Sequence, residues 1–215
     1  LASPASPSIY QENTLKTIRV IYEGTYNALL LAKENVSKFL FASTSEVYGI
    51  TKNNLQYESM PIILSTTSPR ACYSESKRLA ETLIRTFADK YNLDTKIARI
   101  FNTYGPRLSL NDGRVIGNFI KQSLMKEELT IYGDGLQTRS FCYVNDLIEG
   151  LFSLMESNYQ YPLNLGSQEE ISIIDLARII KGRINPSLNF KFYSLPSDDP
   201  ILRKPSIEKA EYYLN

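Results

Sequence analysis

Helix-like and strand-like segments alternate along this chain, and the alternation constrains its fold more than any other feature. Residues 14–34 have the apolar spacing and the length of a helix, and residues 39–42 form a short apolar run bounded by polar residues. Such a run is typical of a parallel strand that is covered on both faces. A second helix pattern and a second strand candidate, residues 95–101, follow in the same order. The order predicts an α/β fold built on a doubly wound parallel sheet.

The second helix pattern follows Ser68 and Pro69, which supply a candidate N-cap and a first-turn proline. Leu79, Leu83 and Phe87 then recur every four residues, as on the apolar stripe of an amphipathic helix. We expect this stripe to pack on the sheet or to contact a partner subunit.

Beyond residue 113 the elements become shorter and less regular. The pattern predicts helices over residues 115–126, 145–156 and 172–184, and strands over residues 129–132, 140–143, 163–165 and 189–193. The pattern therefore predicts a smaller α/β lobe beside the sheet in this part of the chain.

Composition excludes several classes of function. A formal net charge of +1 gives no field that would attract nucleic acid or an anionic membrane. The chain has no histidine, so it can build neither a Ser-His-Asp triad nor a histidine zinc site, and we predict no metal site. Proton transfer must use Tyr, Glu, Asp, Lys or Cys. Two cysteines without paired spacing, no long apolar span and no signal peptide favour a cytoplasmic protein without a membrane segment.

The residues that carry chemistry follow the two strand candidates. Residues 43–49 read Ser-Thr-Ser-Glu-Val-Tyr-Gly, and Tyr73 and Lys77 lie four residues apart on the predicted helix. At this spacing they share one face, so the Lys77 ammonium can stabilise a Tyr73 phenolate that removes a proton from a substrate hydroxyl. Residues 43–46 and 102–106 should face one crevice, because ligands bind outside the carboxyl ends of parallel strands. This combination points to alcohol oxidation.

A glycine-rich dinucleotide loop is missing from the sequence. No Gly-x-x-Gly-x-x-Gly or Gly-x-Gly-x-x-Gly follows a strand, although a dinucleotide pyrophosphate normally binds such a loop. We therefore interpret the chain as part of a longer enzyme, with an incomplete Rossmann-like sheet that lacks its first strands.

Several blocks together resemble the extended short-chain dehydrogenases of the NAD-dependent epimerase/dehydratase family, which act on nucleotide sugars. Within that family they are most similar to the UDP-glucuronate decarboxylases. The blocks lie at residues 43–49, 69–77, 99–107, 111–115, 131–135, 137–141 and 203–207.

The resemblance implies decarboxylation of UDP-glucuronate to UDP-xylose through a transient 4-keto intermediate. It also implies NAD as the cofactor, a UDP-sugar as the substrate and a homodimer as the assembly. In these terms residues 1–112 form a partial NAD-binding domain that carries the catalytic pair. Residues 113–215 form mainly the nucleotide-sugar-binding lobe, with some segments that return to the sheet.

The same resemblance assigns roles to individual residues. It implies a catalytic set of Thr44, Glu46, Tyr73, Lys77 and Arg203. It implies a cofactor-binding set of Leu1, Ser3, Ala42, Tyr73, Lys77, Thr103 and Arg114. It implies that Asn102 and Arg139 contact the UDP half of the substrate.

Two other functions stay open from the sequence. The chain could belong to another nucleotide-sugar 4-epimerase or 4,6-dehydratase, although dehydratases carry Asp where this chain has Ser45. It could also be a truncated, inactive module that binds a nucleotide sugar. Val20 and Ile21 stand where the decarboxylase pattern has a Thr-Asn pair.

Overall fold

The computed structural model describes residues 3–49, 55–111, 113–194 and 204–214. Its helices, in chain order, are α1 Pro7–Glu12, α2 Thr14–Glu34, α3 Ala71–Tyr91, α4 Val115–Met125, α5 Val144–Glu156, α6 Ile173–Ile184 and α7 Glu208–Leu214, with a 3₁₀ turn at Ser45–Tyr48. Its strands are β1 Phe39–Thr44, β2 Leu55–Gln56, β3 Thr95–Ile100, β4 Thr103–Tyr104, β5 Leu129–Tyr132, β6 Thr138–Ser140, β7 Cys142–Tyr143, β8 Pro162–Leu165, β9 Glu170–Ser172, β10 Phe190–Tyr193 and β11 Lys204–Pro205. Within these ranges no helix is long and apolar enough to cross a membrane.

A parallel sheet with helices on both faces confirms the predicted fold class. In the described part of the chain its strand order is β1-β3-β8, and all pairings are parallel. Side chains alternate between the faces because successive strand residues point in opposite directions. Phe41 and Ile97 join the core formed with α2 and α3, whereas Leu40 and Ala98 join the core formed with α5, β8 and α7.

A second core lies in the later part of the chain. Phe119 of α4, Ile131 of β5 and Leu176 of α6 are buried in one cluster, against which Phe190 of β10 packs. Strand β10 pairs in parallel with β5, as the alternating pattern of residues 189–193 predicted for an edge strand. The elements α4, β5, α6 and β10 therefore share a hydrophobic core.

A buried polar network joins α3 to the central sheet. Arg99 of β3 donates through its Nε and Nη2 atoms to the Glu81 carboxylate of α3, at 3.1 and 2.7 Å. Ser43 of β1 donates to the same carboxylate at 2.5 Å. Arg99 also donates to the Tyr48 hydroxyl at 3.1 Å, and Tyr48 donates to Asn164 of β8 at 2.6 Å. Each side chain of this network thereby has a hydrogen-bond partner, as an interior of low dielectric constant requires.

Asn164 extends this network to the short ladder between β2 and β11. Its side-chain amide donates to the carbonyls of Gln56 and Ser206, at 2.9 and 3.1 Å. Its backbone N–H donates to Glu58 at 3.0 Å. One fully buried side chain thus ties two distant segments to the end of the central sheet.

The structure corrects two sequence-based boundaries and the packing of one side chain. Helix α3 begins at Ala71 after Arg70, with no side-chain cap, because Ser68 and Pro69 form a turn in which the Ser68 Oγ accepts from the Arg70 N–H. The strand predicted over 140–143 is two short strands, β6 and β7, that pair with different partners. Leu79 does not pack on the sheet, since it is 50% exposed. The helix over residues 14–34 is confirmed at both ends.

We predict that Tyr48→Phe destabilises the protein. The hydroxyl is buried and burial raises its pKa to about 12, so it stays protonated and bridges Arg99 and Asn164. Phe fills the same space but leaves both partners without this contact, which costs about 1 to 3 kcal/mol of unfolding free energy. Urea denaturation measures the loss. Tyr212→Phe is the control, because Tyr212 is 78% exposed and its change should stay within about 0.5 kcal/mol. Equal stability of the two variants would contradict the prediction.

Candidate active site

A cavity of about 670 Å³ opens at the carboxyl ends of β1 and β3. This volume is in the usual range for small-molecule sites. The predicted site residues that the structure describes all line it: Ser3, Ala42, Thr44, Glu46, Tyr73, Lys77, Asn102, Thr103, Arg114 and Arg139. The two segments expected to share a crevice therefore do so.

Lys77 is seated against the end of β1. Its Nζ donates to the Ala42 carbonyl at 2.9 Å and lies 4.6 Å from the centroid of the Phe41 ring. The same Nζ lies 5.7 Å from the centroid of the Tyr73 ring. Both side chains are less than a tenth exposed, so the ammonium acts on Tyr73 through little solvent.

Burial lowers the pKa of Lys77 to about 8, while the nearby Glu81 carboxylate acts in the opposite direction. Desolvation disfavours the charged form of a lysine, and an anion favours it. Below about pH 8 the side chain is therefore mainly an ammonium, and above that pH it loses its proton.

Glu46 also lines the cavity, from the 3₁₀ turn that follows β1. The Thr44 hydroxyl accepts from the Glu46 N–H at 3.2 Å and so caps this turn. Tyr10 donates through its hydroxyl to Glu46 Oε2 at 3.2 Å, and Arg70 Nη1 lies 3.6 Å from Glu46 Oε1. A hydrogen bond and an ion pair thus hold the carboxylate beside the cavity.

Tyr10 also fixes the ring of Tyr73. The two rings stack with centroids 4.8 Å apart and planes 3° from parallel. Tyr10 is fully buried, and Ile21 of α2 packs in the same cluster. Ile21, one of the two departures from the decarboxylase pattern, therefore contributes apolar packing behind the catalytic tyrosine candidate.

Gly49 ends the turn, and its backbone requires glycine. Its φ is +66°, in the left-handed region, and a Cβ here would meet the carbonyl oxygen of Ile63. Gly49 also forms an isolated bridge with Ile63. The final glycine of the 43–49 block is thus explained by chain geometry.

Residues in and beside β4, α4 and β6 also line the cavity. Thr103 donates to the Phe101 carbonyl at 3.0 Å, and Asn102 donates to the Ser140 carbonyl at 3.4 Å. Arg139 is buried and donates to the Thr138 carbonyl at 2.8 Å, whereas Arg114 is exposed just before α4. These side chains offer amide, hydroxyl and guanidinium groups to a polar ligand.

Two predicted site residues, Leu1 and Arg203, lie outside the described residues. The neighbour of Arg203, Lys204, is in β11 and pairs with Glu170 at 3.0 Å.

The sequence did not single out Tyr10 or Arg70 as site residues. Arg70 lies three residues before Tyr73 in the block at residues 69–77, so its position in the sequence could have marked it as a site residue. Tyr10 lies 36 residues before its hydrogen-bond partner, and no local pattern marks it.

The chain matches the model of the family described as "NAD dependent epimerase/dehydratase family" over residues 1–166. It is 47% identical over 215 residues to UDP-glucuronic acid decarboxylase 1 of Arabidopsis thaliana, covering all of this chain and 49% of that protein. It is 48% identical over 214 residues to UDP-glucuronic acid decarboxylase 1 of Xenopus tropicalis, covering all of this chain and 51% of that protein.

A solved structure with a similar fold is the UDP-glucuronic acid 4-epimerase of Bacillus cereus in complex with UDP-glucuronic acid and NAD. Its TM-score is 0.86 at 27% identity, and the match covers 100% of this chain and 67% of that one.

Fold and cavity together define an α/β protein with a ligand site at the carboxyl ends of its parallel strands. The chain belongs to the NAD dependent epimerase/dehydratase family, since the family model matches most of its length. It spans about half the length of the two decarboxylases that it matches.

Proposed function

We propose that this chain is part of an NAD-dependent UDP-glucuronate decarboxylase, which forms UDP-xylose and carbon dioxide. The observation that carries the proposal is that Tyr73, Lys77 and Glu46 line one cavity at the end of β1. Identity of 47% to a UDP-glucuronic acid decarboxylase along the whole chain supports the choice of substrate and product.

The described residues fit the ribose and nicotinamide part of NAD. Lys77 is held at the Ala42 carbonyl with its ammonium beside the cavity, where it can donate to ribose hydroxyls. Ser3 and Thr103 line the same cavity and add hydroxyl groups. NAD, when bound, accepts the hydrogen of the sugar C4 as hydride and returns it at the end of the cycle.

Tyr73 acts first, as the general base. Its phenolate takes the proton of the C4 hydroxyl as that carbon loses its hydrogen, which leaves a ketone at C4. The Lys77 ammonium stabilises the phenolate, and the stacked Tyr10 ring holds the phenol in one plane. Thr44 lies at the end of β1, where its hydroxyl can donate to the reacting sugar.

Decarboxylation follows because the C6 carboxylate is now β to a ketone. The bond between C5 and C6 breaks, carbon dioxide leaves, and the electron pair is delocalised into the C4 enolate. Glu46 passes a proton taken from solvent to C5. The hydrogen returned to C4 then restores the alcohol as Tyr73 gives its proton back to the oxygen. In this scheme Arg203 anchors the sugar carboxylate or takes part in the reprotonation.

We predict that Tyr73→Phe removes most of the activity. The variant keeps the ring that stacks on Tyr10 but lacks the group that moves the proton, which costs about 100-fold or more in kcat. The kcat is measured with the full-length natural protein as the release of carbon dioxide from UDP-glucuronate labelled at C6. Tyr212→Phe is the control and should match the wild type. Full activity of the Tyr73 variant would refute the proposed base.

The second candidate is a 4-epimerase, favoured by the similarity to the Bacillus cereus enzyme. It would use the same tyrosine and the same ketone but would return the hydrogen to the other face of C4. The products separate the two functions: labelled carbon dioxide supports the decarboxylase, and the C4 epimer of UDP-glucuronate with its carboxylate intact supports the epimerase.

We also propose that the protein is a homodimer through α2 and α3. Leu15, Ile18, Tyr22 and Tyr26 form one stripe along α2 and are between 39% and 82% exposed. Leu79 of the adjacent α3 is also exposed. Two such helix pairs from two copies would bury this apolar surface in a four-helix bundle.

We predict that Leu15→Glu combined with Ile18→Glu converts the dimer to a monomer, because two buried carboxylates would face the partner. Light scattering after size-exclusion chromatography gives the mass. Phe192→Glu is the control, since Phe192 is similarly exposed but lies on β10, which pairs with β5 and belongs to neither α2 nor α3. A wild-type monomer, or a double variant that stays dimeric, would argue against this interface.

We further propose that residues 1–112 hold mainly the cofactor and residues 113–215 mainly the nucleotide sugar. The base and its lysine lie in the first range, and Arg139, which suits a phosphate group of the sugar nucleotide, lies in the second. A cytoplasmic location remains our proposal, supported by the two free cysteines, Cys72 and Cys142.

A further inference from the structure

Two side chains from consecutive turns of α3 attach the helix to neighbouring residues of β1. Lys77 donates to the Ala42 carbonyl at 2.9 Å, and Glu81, four residues later, accepts from the Ser43 hydroxyl at 2.5 Å. Residues four apart lie on one face of a helix, so both contacts are made by the face that meets the strand. The position of Lys77 is therefore coupled to that of Glu81.

Glu81 is held from a second direction by Arg99. The guanidinium of Arg99 reaches both carboxylate oxygens, with Nη2 at 2.7 Å from Oε2 and Nε at 3.1 Å from Oε1. The side chains are 7% and 9% exposed, respectively, for Arg99 and Glu81. Hydrogen bonds from Ser43 and Arg99 thus fix an anionic group one helical turn from the lysine at the site.

The charge of Glu81 acts directly on Lys77. Burial lowers the pKa of Lys77 to about 8, and the Glu81 carboxylate opposes this effect. The other charged or titratable groups that face this region are Tyr73 on the same helix, Glu46 in the turn after β1, Arg70 before α3 and Arg99 on β3. The mechanism proposed above gives Glu81 no contact with substrate.

We propose that Glu81 is a positioning residue for Lys77: its buried carboxylate keeps the Lys77 ammonium charged and seated at the end of β1. The inference rests on the proposed function only for the use of that ammonium, which is to stabilise the Tyr73 phenolate. Arg99 completes the arrangement, because it prevents Glu81 from turning toward Lys77 and leaving the strand.

Glu81→Gln tests this role, with Glu75→Gln as the matched control. Glu75 lies on the same helix but is about one-third exposed, pairs with Arg78 and does not line the cavity. NMR of lysine-labelled full-length protein follows the titration of Lys77, whose signal is identified by its absence in Lys77→Arg. We expect the midpoint of Lys77 to fall by about one pH unit in Glu81→Gln and to stay unchanged in Glu75→Gln.

The pH dependence of kcat provides a second readout. Loss of the Lys77 proton ends the support of the phenolate, so the alkaline limb of the profile should move to lower pH in Glu81→Gln by the same amount. A role limited to holding the fold would lower the amount of active protein without moving this limb. An unchanged Lys77 midpoint and an unchanged limb in Glu81→Gln would overturn the proposal.

Glu81→Gln leaves the Arg99 charge buried without its partner and can fail to fold. The double variant Glu81→Gln, Arg99→Met removes both charges and still lacks the carboxylate, so the Lys77 midpoint is expected to fall there too, by less than in Glu81→Gln because the Arg99 cation is also gone. If wild-type protein releases no carbon dioxide from UDP-glucuronate, the proposed function fails, while the NMR titration still decides the role of Glu81.

Discussion

A carboxylate on α3 and a guanidinium on β3 meet away from water at the centre of this molecule. Arg99 Nη2 lies 2.7 Å from Glu81 Oε2, and both side chains are less than a tenth exposed. Loss of one partner from such a pair costs about 3 to 5 kcal/mol, because the remaining charge stays buried. The pair therefore fixes how α3 lies on the sheet, and α3 carries both Tyr73 and Lys77.

The same interaction also controls the turn that carries Glu46. Arg99 also donates a hydrogen bond to the hydroxyl of Tyr48, which lies in the 3₁₀ turn directly after β1. Tyr48 in turn binds Asn164 on β8, so the turn is tied to two strands of the sheet. The base candidate on α3 and the acid candidate in the turn are thus oriented by one network rather than by two independent sets of contacts.

Much of the fold could be predicted from the sequence because its signals are local. The helix at Thr14–Glu34 and the Ser172 cap of α6 follow from apolar spacing and from capping chemistry within a few residues. The cavity could be predicted because parallel strands present their carboxyl ends on one side of the sheet. The turn at Ser68 and Pro69 was missed because a capping pattern and a turn pattern use the same residue types.

The contacts that orient the site could not be predicted in this way. Tyr10 and Glu46 are 36 residues apart, and Tyr48 and Asn164 are 116 apart, so no periodic pattern connects them. Arg99 gave one usable signal, since a charged residue inside an apolar strand needs a buried partner. Which carboxylate serves it is decided by tertiary packing, and only the structure identifies Glu81.

The most direct measurement is a double-mutant cycle on Glu81→Gln and Arg99→Met, read as the free energy of unfolding in urea. Each single change leaves one buried charge without its partner, whereas the double change removes both. The account predicts that the double variant loses about 1 to 3 kcal/mol less stability than the sum of the two single losses. Losses that add to within about 0.5 kcal/mol would contradict the claim that this ion pair holds α3 in place.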